Sequence, residues 1–228
     1  WGRASLMAQL QDPRRLLDPD ELHPLAQWLG PVLKRHLAQQ PAALALLELD
    51  DGPLLLQQQP EGWLLATRHG QPELSAVDDQ LKAQGLAQSD LSGDGESIQV
   101  WTRLKRQRGR SAGVEASLAV ARSADSDRDW WGETLPSLVQ RQDSRALEPR
   151  LQQWRNLSRH QSTPAQSMML ASKPARAVLA DWQPWTLLQA MAGQTLQPRI
   201  QGLSLSLEAD RQDEGRSVLP VHARLELG

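Results

Sequence analysis

Five cations fall within nine positions of "TRLKRQRGR", residues 102–110: Arg103, Lys105, Arg106, Arg108 and Arg110. Trp101 stands just ahead of them. Guanidinium and ammonium groups bind phosphate oxygens, and an exposed indole beside them can stack on a base or lie at a lipid interface. In a strand, alternate side chains share a face. Ile98, Val100, Thr102 and Leu104 then turn inward, and Gln99, Trp101, Arg103 and Lys105 project outward together. Trp101, Arg103, Lys105, Arg106, Arg108 and Arg110 are therefore the candidate residues for binding an anionic surface. The competing reading is a hairpin whose tip is kept soluble by Arg, with Trp101 covered by a helix.

Other chemistries fail on spacing. "DLSGDG" (90–95) places Asp90, Ser92, Asp94 and Gly95 like the opening of a calcium loop. The twelfth position, where a bidentate acid is needed, is Trp101. The stretch reads as a helix-to-strand turn. "DSDRD" (125–129) reads as an N-cap and first-turn charge for a helix at Trp130–Trp131. His23, His36, His69, His160 and His222 are scattered without ligand spacing. "GLSLS" (202–206) alternates like a strand and is one residue short of a nucleophile elbow. "GDGE" is not followed by a helix or a Lys, so no phosphate cradle is indicated. No catalytic residue, metal site or cofactor is expected.

Net charge sharpens the contrast. The chain carries −2 overall, yet residues 98–122 hold six cations against the single acid Glu115. A basic patch on an otherwise acidic protein is local, screened beyond roughly 10 Å of salt solution. Phe, Tyr and Cys are absent, and Arg outnumbers Lys 21 to 4. Residues with AT-rich codons are the scarce ones, so Arg in the basic run reflects coding bias before phosphate recognition. Trp and Leu must supply the core volume, and most of the nine Trp are expected to be structural. Without Cys, disulfides and thiolate chemistry are excluded. No window reaches the ~20 apolar residues of a membrane span. The chain starts at Trp1, which suggests a piece of something longer with any anchor upstream.

The elements that must position these residues can be read next. Residues 5–40 read as helices, with Asp18 as an N-cap, Pro19 at the first helical position and Gly30–Pro31 as a stop. "AALALLEL" (42–49) reads as a strand. "GWLLATRHGQPELSAVDDQLKAQG" (62–85) is a strand followed by a helix bearing Leu74, Val77 and Leu81. "QSMMLASKPARAVLADW" (166–182) has the same order. Alternating strands follow each: 98–104 and 114–121, then 203–209 and 221–227. "DRDWWGETLPSLVQR" and "LEPRLQQWRNLSRH" read as helices, the first kinked or restarted at Pro136.

The expected fold is α+β: two β-α-β-β repeats forming a largely antiparallel sheet with helices packed on it. Residues 1–228 form one unit, with repeat halves at about 42–122 and 166–227 and helical segments at 5–40 and 127–160. "PEGWLLATRHGQPELSAVDDQL", "VWTRL" and "GLSLSLEA…VHARLEL" resemble a family of uncharacterised cyanobacterial proteins, many with an N-terminal membrane segment. The resemblance implies an extracytoplasmic or membrane-tethered setting and no catalytic residues. The expected function is a non-enzymatic binding or scaffold domain, tethered at a membrane in the full-length protein. Its partner would be a membrane surface or another protein. A nucleic-acid-binding protein using the 98–110 face is the alternative. A hydrolase with a dispersed site is the third.

Overall fold

The computed structural model describes residues 5–18, 20, 24–93, 96–106, 114–139, 166–180, 182–193, 195–207, 211–213, 216–218 and 221–228. The chain divides into two compact units. The first comprises Trp1–Leu10, Leu56–Pro60 and Asp143–Gly228, and the second Gln11–Leu55 and Glu61–Gln142. Sheet and helix share both units and the register is antiparallel within each, so the fold is α+β.

In the first unit, β1 (Leu6–Leu10) pairs antiparallel with β8 (Gln166–Ala171). β8 pairs with β9 (Ile200–Leu207), and β9 with β12 (Val221–Leu227). The last four residues of β2 (Leu54–Gln59) lie beside β1 in this unit. Two short strands, β10 (Arg211–Asp213) and β11 (Arg216–Val218), pair with each other. Two helices follow β8: α6 (Ser172–Ala180) and α7 (Gln183–Ala192). Helix α6 buries Ala175, Val178 and Leu179, at the i, i+3, i+4 spacing of one helical face. Gly193 ends α7 in the left-handed conformation (φ 60°), where a glycine carries no Cβ penalty.

In the second unit the strand order is β3 (Gly62–Arg68), β7 (Arg128–Gly132), β6 (Val114–Ala124), β5 (Glu96–Arg106) and β4 (Leu86–Gly93). Its helices are α1 (Pro13–Leu17), α2 (Pro24–Leu37), α3 (Pro41–Leu49), α4 (Leu74–Ala83) and α5 (Leu135–Val139). Helix α4 buries Val77 and Leu81. On the opposite side of the sheet Leu64, Val100 and Ala121 pack with Leu138 of α5.

Several expectations are corrected. Leu6–Leu10 is a strand, not part of a helical start. Residues 42–49 form α3: alanine and leucine without a β-branched residue favour helix, and Pro41 is placed where a helix tolerates it. Gly30–Pro31 does not stop α2, which contains Pro31. Gly30 is buried there, and a Cβ on it would collide with the Leu16 carbonyl, so the glycine serves close approach to α1. Of the turn expected at 90–95, residues 90–93 belong to strand β4 (Leu86–Gly93). Trp130–Trp131 belong to β7, because Asp125 closes a tight turn between β6 and β7. Its carboxylate accepts from the Asp127 and Arg128 amides at 2.9 and 2.8 Å. The helix expected at "LEPRLQQWRNLSRH" lies outside the described residues.

Candidate functional site

The basic run occupies the end of the β5–β6 hairpin. The two strands pair antiparallel from Gln99↔Arg122 to Arg106↔Val114. Strand β4 reaches β5 only as far as Leu86↔Arg103, and β7 reaches β6 only from Ala121 onward. Residues 104–106 with 114–116 are thus a two-stranded ribbon, each strand the other's partner among the described residues. Paired residues share a face, so Leu104, Val114 and Ala116 lie on one side of the ribbon. Arg103, Glu115 and Ser117 lie on the other. Leu104 is 57% and Val114 64% exposed, and Arg103 is exposed. The side chains of Lys105 and Arg106 lie outside the described residues, as do Arg108 and Arg110 entirely.

Trp101 does not share that exposure. Its side chain is fully buried, and Nε1 donates to Asp78 Oδ1 on α4 at 3.0 Å. That bond, after the stronger one from Lys82, holds the Asp78 carboxyl below its usual range. Strict alternation placed Trp101 outside because one face of the strand was taken as wet. Val100 and Trp101 point to opposite faces, and both are buried. The sheet is therefore covered on both sides here, by α5 and by α4. Alternation in β6 also breaks. Trp101 opposes Val120 while Thr102 opposes Leu118, leaving Ala119 as an extra residue. This bulge turns Val120 to the Trp101 face and Leu118 to the other.

Beneath α4's side of the sheet lies a polar–aromatic cluster. Trp101 and Trp131 meet with centroids 5.8 Å apart, and the Arg122 guanidinium lies 5.5 Å over the Trp131 ring. Arg122 Nη1 donates to Gln99 Oε1 at 2.6 Å, and Nη2 to Asp129 Oδ2 at 2.9 Å. The buried Asp129 carboxylate also accepts from the Gly70 amide at 3.2 Å. His69 Nδ1 lies 3.0 Å from its other oxygen. A proton on Nδ1 leaves Nε2 as the imidazole's acceptor on a half-exposed ring. This is the orientation a general base needs, but no nucleophile accompanies it among the described residues. No hydroxyl is hydrogen-bonded to His69 among the described residues. The nearby Thr67 hydroxyl is buried and engaged with Trp131 Nε1 and the Asp129 carbonyl.

Sequence reasoning missed this cluster. His69 and Asp129 are sixty positions apart, and Asp129 sat in a run that resembled a helix cap. The remaining candidates stay apart. Asp90 and Ser92 are exposed on β4, and no group of three metal-capable side chains occurs among the described residues. Residues 202–206 lie inside β9. No described helix is long and apolar enough to cross a membrane.

No protein-family model matches the chain, and no curated protein is similar to it. Among solved structures it is similar to the structure of crystal form I of TP0453. The TM-score is 0.44 and the identity 9%, over 99% of this chain and 75% of that one. A likeness of that degree supports no conclusion about fold or function.

Proposed function

We propose that this chain is a non-enzymatic binding or scaffold domain, membrane-tethered in its full-length form, that meets an anionic lipid surface through the β5–β6 ribbon. The observation that carries the reading is the exposure of Leu104 and Val114 on a two-stranded extension that carries the five-cation run of residues 102–110. Two aliphatic side chains can enter the headgroup layer while neighbouring cations meet lipid phosphates, each worth ~1 kcal/mol near an anionic surface. Complementary charge favours such a surface over a neutral partner. Trp101 takes no part in the contact, since its indole is committed to Asp78.

Vesicle flotation tests this. The chain should float with phosphatidylglycerol-containing vesicles at ~50 mM salt and not with pure phosphatidylcholine, and it should release as salt rises. Replacing Arg106, Arg108 and Arg110 with Gln should abolish flotation, and Leu104→Ser with Val114→Ser should weaken it. Equal binding to neutral vesicles, or none to anionic ones, overturns the reading. Salt-sensitive oligonucleotide binding without vesicle binding would favour the nucleic-acid alternative. The hydrolase alternative retains one supporting observation, the Asp129-anchored His69. An ester-hydrolysis assay with His69→Gln as control would test it.

The two segments expected as β-α-β-β repeats run β3–α4–β4–β5–β6 and β8–α6–α7–β9–β10–β11–β12, and their strands lie in different spatial orders, so no duplication is inferred.

A further inference from the structure

Asp50 is 1% exposed. One carboxylate oxygen accepts from the Gly52 amide at 2.9 Å, and the other is buried with no hydrogen-bond partner among the described residues. The residue joins three segments of the second unit. Its amide caps α3 by donating to the Leu46 carbonyl at 3.1 Å. Its own carbonyl accepts from the Arg14 amide of α1 at 3.2 Å. Its side chain shapes the turn into β2. Gly52 packs closely in that turn, since a Cβ there would stand 2.9 Å from Gln71 Oε1 and 3.3 Å from Asp50 Oδ1.

Everything but two groups opposes an ionised carboxylate here. An orphaned buried oxygen loses water without a substitute donor. The C-terminal end of α3 presents partial negative charge. Asp51 in the turn and Asp12 at the start of α1 add like charge. The Gly52 amide and Arg68 at the end of β3 act the other way. Helices α2 and α4, which also pack on α3, bring no further described charge to bear on it. Burial is the largest influence, and it pushes the Asp50 carboxyl up to about 6.

We propose that Asp50 is a proton-operated latch: protonated, it holds α1, α3 and the turn into β2 together, and on ionisation it loosens that junction. The junction weakens progressively as pH rises from acidic values and is fully loosened just above pH 6, higher than an ordinary carboxyl group would carry such a response.

Two measurements test this on the intact chain. The Asp50 side-chain carboxyl carbon, followed by NMR, should titrate near pH 6. Amide exchange at Arg14, Asp50 and Gly52, corrected for the intrinsic rate, should lose protection severalfold, up to about 10-fold, between pH 5 and pH 7.5. Protection at Leu65 in the sheet core should stay flat. Asp50→Asn keeps an acceptor for Gly52 and cannot ionise, so its exchange at the junction should be independent of pH. A carboxyl that titrates below pH 4.5 overturns the proposal. So does flat exchange in the wild type, or the same pH dependence in Asp50→Asn. The carbon titration needs no variant and stands even if Asp50→Asn folds poorly.

Discussion

Replacing Asp129 with Ala should be among the most destabilising single changes in the second unit. Its carboxylate accepts from Arg122, Gly70 and His69. The last two are exposed, so water can replace the lost acceptor at a cost of roughly 0.5–1 kcal/mol each. Arg122 is different. Its side chain is 14% exposed, and stripping the partner from a buried ion costs about 3–5 kcal/mol. Two contacts survive to temper that loss, the Gln99 bond and the Trp131 ring face. The expected net is about 3 kcal/mol, a large share of a typical domain's stability. Arg122→Met alone should cost about 2 kcal/mol, because the Gly70 amide still serves the carboxylate. The double variant Arg122→Met, Asp129→Ala should cost less than the sum by ~1.5 kcal/mol or more, since it buries no lone charge. Urea unfolding followed by Trp fluorescence provides the cycle. A cost below ~1 kcal/mol for Asp129→Ala, or additivity within ~0.5 kcal/mol, would refute the idea that this pair is energetically coupled.

Further outcomes are expected from the same geometry. Trp185 anchors α7 and is buried, whereas Leu187, Leu188 and Met191 are 65%, 54% and 81% exposed. Trp185→Ala should cost about 3–5 kcal/mol in chemical unfolding. Ser at each of the other three should stay within ~0.5 kcal/mol. Gly62→Ala should destabilise by about 1–3 kcal/mol, because φ is +129° and a Cβ would press on Glu133 Oε2 at 2.8 Å. Thermal melts should also depend on pH through Asp50. Unfolded, its carboxyl titrates at 3.8, and folded at about 6. In between, the folded chain keeps a proton that the unfolded chain has released. Stability therefore falls as pH rises through that window and levels off above it, by at most about 3 kcal/mol. Asp50→Asn should flatten that slope, and an unchanged slope would assign it to other groups.

Much of the local structure was legible because its causes are local. The apolar run at 62–68 and the spacing of Val77 and Leu81 yielded β3 and α4. The alternation of residues 221–227 yielded β12. Residues 42–49 read as a strand because a run apolar but for Glu48 has no clear period, and only the lack of β-branching points to helix. Trp101 was misplaced for a tertiary reason. Alternation tells which residues share a face, but a strand covered on both faces hides both sets. The bulge at Ala119 left no sequence mark, since alanine fits either face. The Asp129 cluster was invisible because its members come from three strands and a turn. Each looked locally like something else: a helix cap, one cation of a basic segment, a scattered histidine.

Unit one draws its sheet from both ends of the chain, with β1 from residues 6–10 seated against β8 at 166–171. On a ribosome the second unit is complete once residue 142 has emerged. At that moment β1 still has one open edge, with nothing yet synthesised to close it. Its buried Leu6, Ala8 and Leu10 then sit on a strand paired along one edge only, and such an open edge seeks a neighbour. The two units thus mature in a fixed order. The chain's vulnerability to misassembly is concentrated in the interval before β8 arrives.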